Sequence, residues 1–188
     1  MNIFALESNP VTAAQYHCDQ HIHKMILESA QMLSSAAQAQ KLFIPRGMLY
    51  RPAYLGHPCT IWACQNTTNM LWLCNLALEL ESIRGLYHNC AEHSATGVVR
   101  TIRDYLLQDC MNEIAKTPLE PFALAMPSHI KIDNRRYPTV INKYQEYYRA
   151  KHKQWVLDKG KRMTYKGRSI PVFMRDLIPE GISSGFYY

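Results

Sequence analysis

The chain of 188 residues lacks the features that define several large classes of protein. No apolar run approaches the roughly 20 residues needed to cross a bilayer, and the opening MNIFALESNP carries no basic leader. A phosphate-binding loop and a dinucleotide glycine fingerprint are also missing, which argues against kinase and dehydrogenase chemistry. We therefore expect a cytoplasmic protein with no membrane partner and no cofactor.

The six cysteines form no Cys-x-x-Cys pair, and there is no His-Glu-x-x-His motif. Because most of the cysteines fall in helix-like apolar patterns, we expect buried, reduced thiols rather than a disulfide framework or a zinc site. His17 and His21 could chelate a metal together with Glu28, but no dedicated third ligand or supporting shell can be identified. The sequence therefore predicts no metal.

The residues that are present describe a globular chain with a local basic excess. An apolar content of 47% and a charged content of 19% are typical of a folded domain, and the length predicts one domain over residues 1–188. The net charge is +6, yet residues 149–168 alone hold eight basic residues against Asp158. We expect residues 158–188 to form a tail, first basic and then apolar, that packs on the domain.

Apolar periodicity predicts an all-α fold, a single compact domain of about four main helices with long irregular loops. The opening residues 1–8 are expected to be extended. Capping residues and prolines place the helices at residues 9–40, with a break near Cys18, and at residues 58–85, 98–115 and 140–157.

One edge of the first predicted helix is polar. Its side chains alternate at spacings of four and three residues, which stacks them along the helix: His17, His21, Lys24, Glu28, Gln31 and Ser35. Imidazole, amine and carboxylate groups at the border of an apolar surface are typical of a cleft that tunes proton affinities. The alternative is a solvated helix edge with a Lys24–Glu28 ion pair.

The run Asp19-Gln20-His21, followed after six residues by Glu28, resembles the first helix of the phage pyrimidine dimer DNA glycosylases, the endonuclease V family. The segment Tyr54-Leu55-Gly56-His57-Pro58 before a helix is similar to a segment in relatives of that family. The clearest similarity covers residues 14–35 and 54–73.

This resemblance implies an all-helical enzyme that flips a damaged or unusual pyrimidine and attacks its glycosidic carbon with an N-terminal amine. The strand is then cleaved by elimination through the imine. Glu28 would be the catalytic carboxylate and the amine of Met1 the nucleophile, while His21 and Lys24 would orient Glu28 or contact phosphate. Candidates for substrate binding are His17, Gln31, His57, Trp62, Asn66 and Asn69.

The basic and aromatic segment after residue 143 is the predicted surface for duplex DNA. Lysine and arginine can track the phosphate backbone while aromatic rings stack on a displaced base. The candidates are Tyr148, Arg149, Lys151, Lys153, Lys161, Arg162, Lys166 and Arg168.

Two other classes of function stay open, because Leu27 and Gln31 stand where the family has arginines beside its glutamate. The first is an enzyme that processes modified pyrimidines without cleaving the strand. The second is a non-catalytic phage module that binds nucleic acid or a host protein through the basic tail. The retention of Met1 is expected because Asn2 is a poor residue for removal of the initiator methionine.

Overall fold

A computed structural model describes residues 1–178 of the chain. Every regular element within this range is helical, so the prediction of an all-α fold is confirmed. The helices are α1 (Pro10–Gln15), α2 (Asp19–Ala39), α3 (Pro58–Ala63), α4 (Thr67–His88), α5 (Thr96–Asp109), α6 (Met111–Ile114), α7 (Ser128–Lys131) and α8 (Val140–Lys159), with short 3₁₀ turns at Arg46–Met48 and Val172–Met174.

The break predicted near Cys18 separates α1 from α2. Asn9 caps α1 by accepting hydrogen bonds from the N–H groups of Val11 and Thr12, and Pro10 occupies the first position, where no donor is needed. At the break, Cys18 is extended, and Arg168 donates hydrogen bonds to the carbonyls of Gln15 and His17. Because α1 ends here, these carbonyls have no partner within a helix. The guanidinium of Arg168, which is distant in sequence, bonds them and so stabilises the break.

Two of the predicted helices are interrupted, which corrects their boundaries. The helix predicted for residues 58–85 is two helices, because Asn66 adopts an extended conformation and its side chain caps α4 through the N–H of Asn69. The helix predicted for residues 98–115 ends as α5 at Asp109, and the four-residue α6 follows Cys110. The last long helix runs two residues past its predicted end and stops at Gly160, whose φ of 61° is left-handed.

The core lies around α2, which packs against α3, α4 and α5, while α1 packs against α4. The chain start is irregular rather than a strand, yet Ile3, Phe4, Ala5 and Leu6 are all buried in this core. From α8, the fully buried rings of Tyr144 and Tyr148 reach the same core. The N-terminal segment is thus enclosed by helices from both halves of the chain.

The described part of the C-terminal segment and the six cysteines can be placed in the fold. Ile170, Met174 and Ile178 are buried against the core, and residues 179–188 of the predicted tail lie outside the described residues. All six cysteines are free thiols; Cys90 is exposed, Cys64 is partly buried and the other four are buried. None of the helices within residues 1–178 combines the length and the apolar content required to span a bilayer.

Candidate active site

The carboxylate of Glu28 lies at the border of the core, with only 11% of its side chain exposed. Its Oε1 is 3.6 Å from the amine nitrogen of Met1 and 3.5 Å from Nζ of Lys24. Its Oε2 accepts a hydrogen bond of 2.9 Å from the backbone N–H of Asn2. The start of the chain therefore contacts both oxygens of the one carboxylate that the sequence analysis selects as catalytic.

Asn2 fixes the start of the chain in this position. Its side-chain amide donates a 2.7 Å hydrogen bond to the carbonyl of Ala125, and its Oδ1 accepts one of 2.9 Å from the N–H of Phe4. Phe4 has a φ of 38°, a left-handed conformation that costs free energy in a residue with a β-carbon. This turn buries the Phe4 ring and leaves the amine of Met1 beside Glu28.

A second lysine adds positive charge to the same place. Lys151 of α8 is half-buried, with Nζ 5.2 Å from the ring centre of Tyr147 and 5.9 Å from that of Phe4. Burial and repulsion by Lys24 lower the pKa of Lys151, while Glu28 acts in the opposite direction. Lys24 and Lys151, from helices far apart in the sequence, thus both belong to the surroundings of Glu28.

His57 lies close enough to the site for the charges of the amine and Glu28 to act on its ring. Burial and then the positive amine of Met1 lower the pKa of His57, while Glu28 raises it. The ring accepts a hydrogen bond at Nδ1 from the N–H of Cys59, so the neutral ring carries its proton on Nε2. Nearby, Thr60 contacts the sulfur of Met1 at 3.6 Å. The structure therefore brings the amine, Glu28 and Lys24 together, with His57 in their electrostatic surroundings.

The helix that follows His57 has only six residues. Its macrodipole is correspondingly weaker than that of the long helix predicted for residues 58–85. His57 therefore contributes its ring rather than a strong helix terminus.

His21 and His17 have interior positions instead. The hydroxyl of Tyr148 accepts the N–H of Cys18 and forms a 2.8 Å hydrogen bond with Nδ1 of His21, and the His21 ring stacks on Phe4. Nδ1 of His17 donates to the carbonyl of Ala13 at 2.8 Å. Burial lowers the pKa of His17 to about 4 and that of His21 to about 3, so both rings are neutral near pH 7. The 5% exposure of His21 and the complete burial of His17 leave neither ring room to bind a substrate.

The other residues of the motif hold the C-terminal segment. Asp19 accepts hydrogen bonds from Nη2 of Arg168 and the N–H of Lys166, and its own N–H donates to the carbonyl of Thr164. Gln20 exchanges hydrogen bonds with Thr164 as well. In this chain Asp19 and Gln20 are therefore structural, and of the motif only Glu28 contacts the amine.

Three of the predicted substrate-binding residues lie in the interior. Trp62 is 2% exposed and donates its indole N–H to the carbonyl of Glu120. The amide of Asn69 bonds the carbonyl of Trp62 and the N–H of Glu120, and Asn66 is the cap of α4. Because their polar groups are used within the fold, these three residues do not join the site. Gln31 is half-buried on α2, one turn beyond Glu28.

Apart from the half-buried Lys151, the predicted DNA-binding residues divide into those paired within the fold and those that are exposed. Tyr148 and Arg168 are buried, and Arg149 forms a bidentate pair with Asp176 in addition to a contact with Glu146. These three stabilise the fold. The exposed cations of the set are Lys153, Lys161, Arg162 and Lys166.

Two residues of the site carry no motif that the sequence analysis could use. Asn2 acts through its backbone N–H and a turn that closes on Ala125, and Tyr147 places its ring under Lys151. Within residues 1–178, no group of three or more histidine, cysteine, aspartate or glutamate side chains converges as metal ligands would.

Comparison with known proteins finds no match for this chain among protein-family models, curated sequences or solved structures. The resemblance to the pyrimidine dimer glycosylases therefore stays a prediction.

Proposed function

We propose that this protein is a DNA-processing enzyme of the glycosylase and abasic-site lyase type, which acts on a damaged or modified pyrimidine. The observation that supports this most directly is the 3.6 Å separation between the amine of Met1 and Oε1 of Glu28. A nucleophile and a base are expected within or slightly beyond hydrogen-bond distance of each other. In this proposal the amine is the nucleophile and Glu28 is the general base.

The chemistry uses both groups in turn. Glu28 accepts a proton from the ammonium, and the neutral amine forms a bond to C1′ of the sugar as the C1′–N bond to the pyrimidine breaks and the departing base takes up the proton held by Glu28. At an abasic site the amine adds to the C1′ aldehyde, and the hydroxyl so formed leaves as water with the proton returned by Glu28, which is then again a carboxylate. The resulting imine makes the C2′ proton acidic, Glu28 removes it, and the C3′–O bond breaks with the phosphate as leaving group.

The charge around Glu28 favours an anionic substrate. Three ammonium groups, those of Met1, Lys24 and Lys151, surround one carboxylate, which leaves a positive excess at the site. Lys24 is 65% exposed and so can exchange its contact with Glu28 for a phosphate. A phosphodiester beside the reacting sugar would balance this charge.

Strand cleavage of a duplex with one abasic site tests the proposal. Glu28→Gln retains an acceptor for the N–H of Asn2 but cannot act as a base. General-base catalysis contributes about 100-fold to 10,000-fold to a reaction rate, so we expect the rate of strand cleavage to fall by that factor. Glu79→Gln, an exchange of another helical glutamate, is the control and should cleave as the wild type does. Cleavage by Glu28→Gln at the wild-type rate would contradict the proposal.

The same substrates separate the alternatives. A covalent adduct without strand cleavage, together with a changed nucleoside mass after digestion, would favour processing of a modified pyrimidine. Binding without adduct formation, unaffected by Glu28→Gln, would favour a non-catalytic role.

A further inference from the structure

The loop between α2 and α3, residues 41–57, has an unusual composition. It carries Lys41, Arg46 and Arg51, and the chain contains no acidic residue between Glu28 and Glu79. All three cations are exposed, and none takes part in the ion pairs found within residues 1–178. This surface is therefore positive without internal compensation.

The same loop exposes large apolar side chains that a monomer would ordinarily bury. Phe43 is 93% exposed, Tyr54 66%, Leu55 58% and Met48 54%. Large exposed apolar side chains on one segment, interspersed with charged ones, are typical of a binding surface. Aromatic rings among cations, with no carboxylate nearby, match the stacked bases and phosphates of a nucleic acid better than an ordinary protein surface.

The loop is held along the edge of α2 that carries Glu28. Ser35, two turns beyond Glu28, both donates to the carbonyl of Ala53 and accepts from its N–H. Ser34 accepts the N–H of Tyr50, and Gln38 donates to the carbonyl of Tyr50. These bonds fix the backbone immediately before Tyr54.

Tyr54 itself has a strained conformation. Its φ of 53° is left-handed, which is rare for an aromatic residue, and its carbonyl accepts the N–H of His57 in a tight turn. The turn joins the exposed Tyr54 to His57, whose ring lies in the electrostatic surroundings of the amine of Met1. The tight turn therefore fixes the backbone of Tyr54 relative to that of His57.

We infer that residues 41–57 are a nucleic-acid-binding surface in which Tyr54 stacks on a base next to the target nucleotide and Arg46 and Arg51 contact phosphates. This inference rests on the proposed function for the nature of the substrate. It moves the principal interface away from the basic tail, where Tyr148, Arg149 and Arg168 are used within the fold. A base that stacks on Tyr54 would help to keep the neighbouring nucleotide displaced toward Glu28.

Binding to a duplex with a tetrahydrofuran abasic-site analogue tests the inference, because this analogue has no aldehyde and cannot react with the amine. Tyr54→Asn removes the ring but tolerates the left-handed backbone, so the fold is retained. We expect the Kd from fluorescence anisotropy to rise by at least about fivefold, the low end for one lost stacking contact. Tyr54→Trp should restore wild-type affinity. Leu86→Asn removes another exposed apolar side chain, on α4, and should change the Kd by no more than about twofold.

The indole introduced by Tyr54→Trp gives a direct readout of stacking. Its fluorescence should be quenched on addition of the duplex, whereas that from Leu86→Trp should not change.

The phosphate contacts are tested by the salt dependence of binding. The double variant Arg46→Gln and Arg51→Gln should reduce the slope of log affinity against log salt concentration by about two. Lys116→Gln with Arg136→Gln is the matched control, since both side chains are exposed and the slope should be unchanged.

Failure of this inference is distinct from failure of the proposed function. If abasic DNA is cleaved but Tyr54→Asn binds the analogue as the wild type does, the loop is not the interface. If Tyr54→Asn weakens binding while no cleavage occurs, the loop assignment holds and the lyase chemistry is wrong. A wild-type dimer in sedimentation that Tyr54→Asn dissociates would instead assign the loop to contacts between copies and overturn the inference.

Discussion

At the scale of single residues, Asn2 positions the amine of Met1 beside Glu28. Its side chain bonds Ala125 and Phe4 while its N–H bonds Glu28, so a side chain without polar atoms leaves buried partners unsatisfied. Asn2→Leu should lower the free energy of unfolding by roughly 1–3 kcal/mol. It should also reduce strand cleavage by more than the folded fraction explains, because the amine loses its fixed position.

Asn2→Leu keeps a large second residue, so Met1 remains in place. Chemical denaturation and single-turnover cleavage give the two quantities. The control is Ser8→Ala, since Ser8 is exposed and bonds only to the adjacent Glu7. Cleavage at the wild-type rate by folded Asn2→Leu would show that the turn at the chain start is not needed for chemistry.

His17 makes the stability of the fold depend on pH. Burial lowers the pKa of His17 from 6.5 to about 4. Between these two pH values the imidazole is therefore protonated in the unfolded chain but stays neutral in the folded chain. The stabilisation is complete above about pH 6.5 and is lost as the pH falls toward 4. This difference between the pKa of His17 in the unfolded and in the folded chain corresponds to roughly 3 kcal/mol in the free energy of unfolding.

Urea denaturation between pH 7 and pH 4 measures this effect. His17→Gln can still donate to Ala13 and should remove roughly 3 kcal/mol of the pH dependence. The exposed His129 provides the control His129→Gln, which should leave the wild-type profile. An identical profile for His17→Gln and the wild type would contradict a buried, neutral imidazole.

At the scale of elements, the segment after α8 is fixed to α4 by one close approach. Gly167 has a φ of 66°, and a β-carbon there would lie 2.7 Å from Cδ1 of Tyr87. Gly167→Ala should therefore lower the free energy of unfolding by at least about 2 kcal/mol, because the backbone is strained and the ring must move. Gly47→Ala is the control, since no atom lies within 4 Å of its β-carbon. Equal stability of the two variants would contradict this packing.

The basic tail makes a second prediction at this scale, since adjacent cations have different roles. Arg168 is 3% exposed and bonds Asp19 and the carbonyls at the break between α1 and α2, whereas the Lys166 side chain is exposed. Arg168→Gln should lower the free energy of unfolding by about 3–5 kcal/mol, because Asp19 loses its buried partner. Lys166→Gln should cost less than about 0.5 kcal/mol. A thermal melt of each variant distinguishes these outcomes, and equal melting temperatures would contradict the assignment of Arg168 to the fold.

The helices could be predicted from the sequence because each has a local signal. Asn9 and Pro10 begin α1, and the apolar pattern continues through α2. The break at Asn66 was not predicted. An asparagine side chain is a good N-cap, but within an apolar helical pattern the Asn66 amide was assigned to ligand binding instead. The site was only partly predictable for a related reason. Lys24 and Glu28 are neighbours on one helix, whereas His21 is enclosed by Phe4 and Tyr148, whose positions depend on the tertiary fold.

At the scale of the whole molecule, three distant parts of the chain meet at one carboxylate. The N-terminal segment supplies the amine, α2 supplies Glu28 and Lys24, and α8 supplies Lys151 over the Tyr147 ring. The excess positive charge at this point agrees in sign with the net charge of +6. No single stretch of sequence contains this arrangement, so the placement of Lys151 in the surroundings of Glu28 depends on the tertiary fold.

Borohydride trapping on duplex DNA with one abasic site, followed by peptide mapping of the adduct, tests the central claim most directly. We expect a covalent adduct on the α-amine of Met1, lost when residues added ahead of Met1 convert that amine to an amide and retained in Lys24→Met. An adduct on Lys24 or Lys151, or no adduct at any pH while the protein remains folded, would contradict catalysis by the amine that lies 3.6 Å from Glu28.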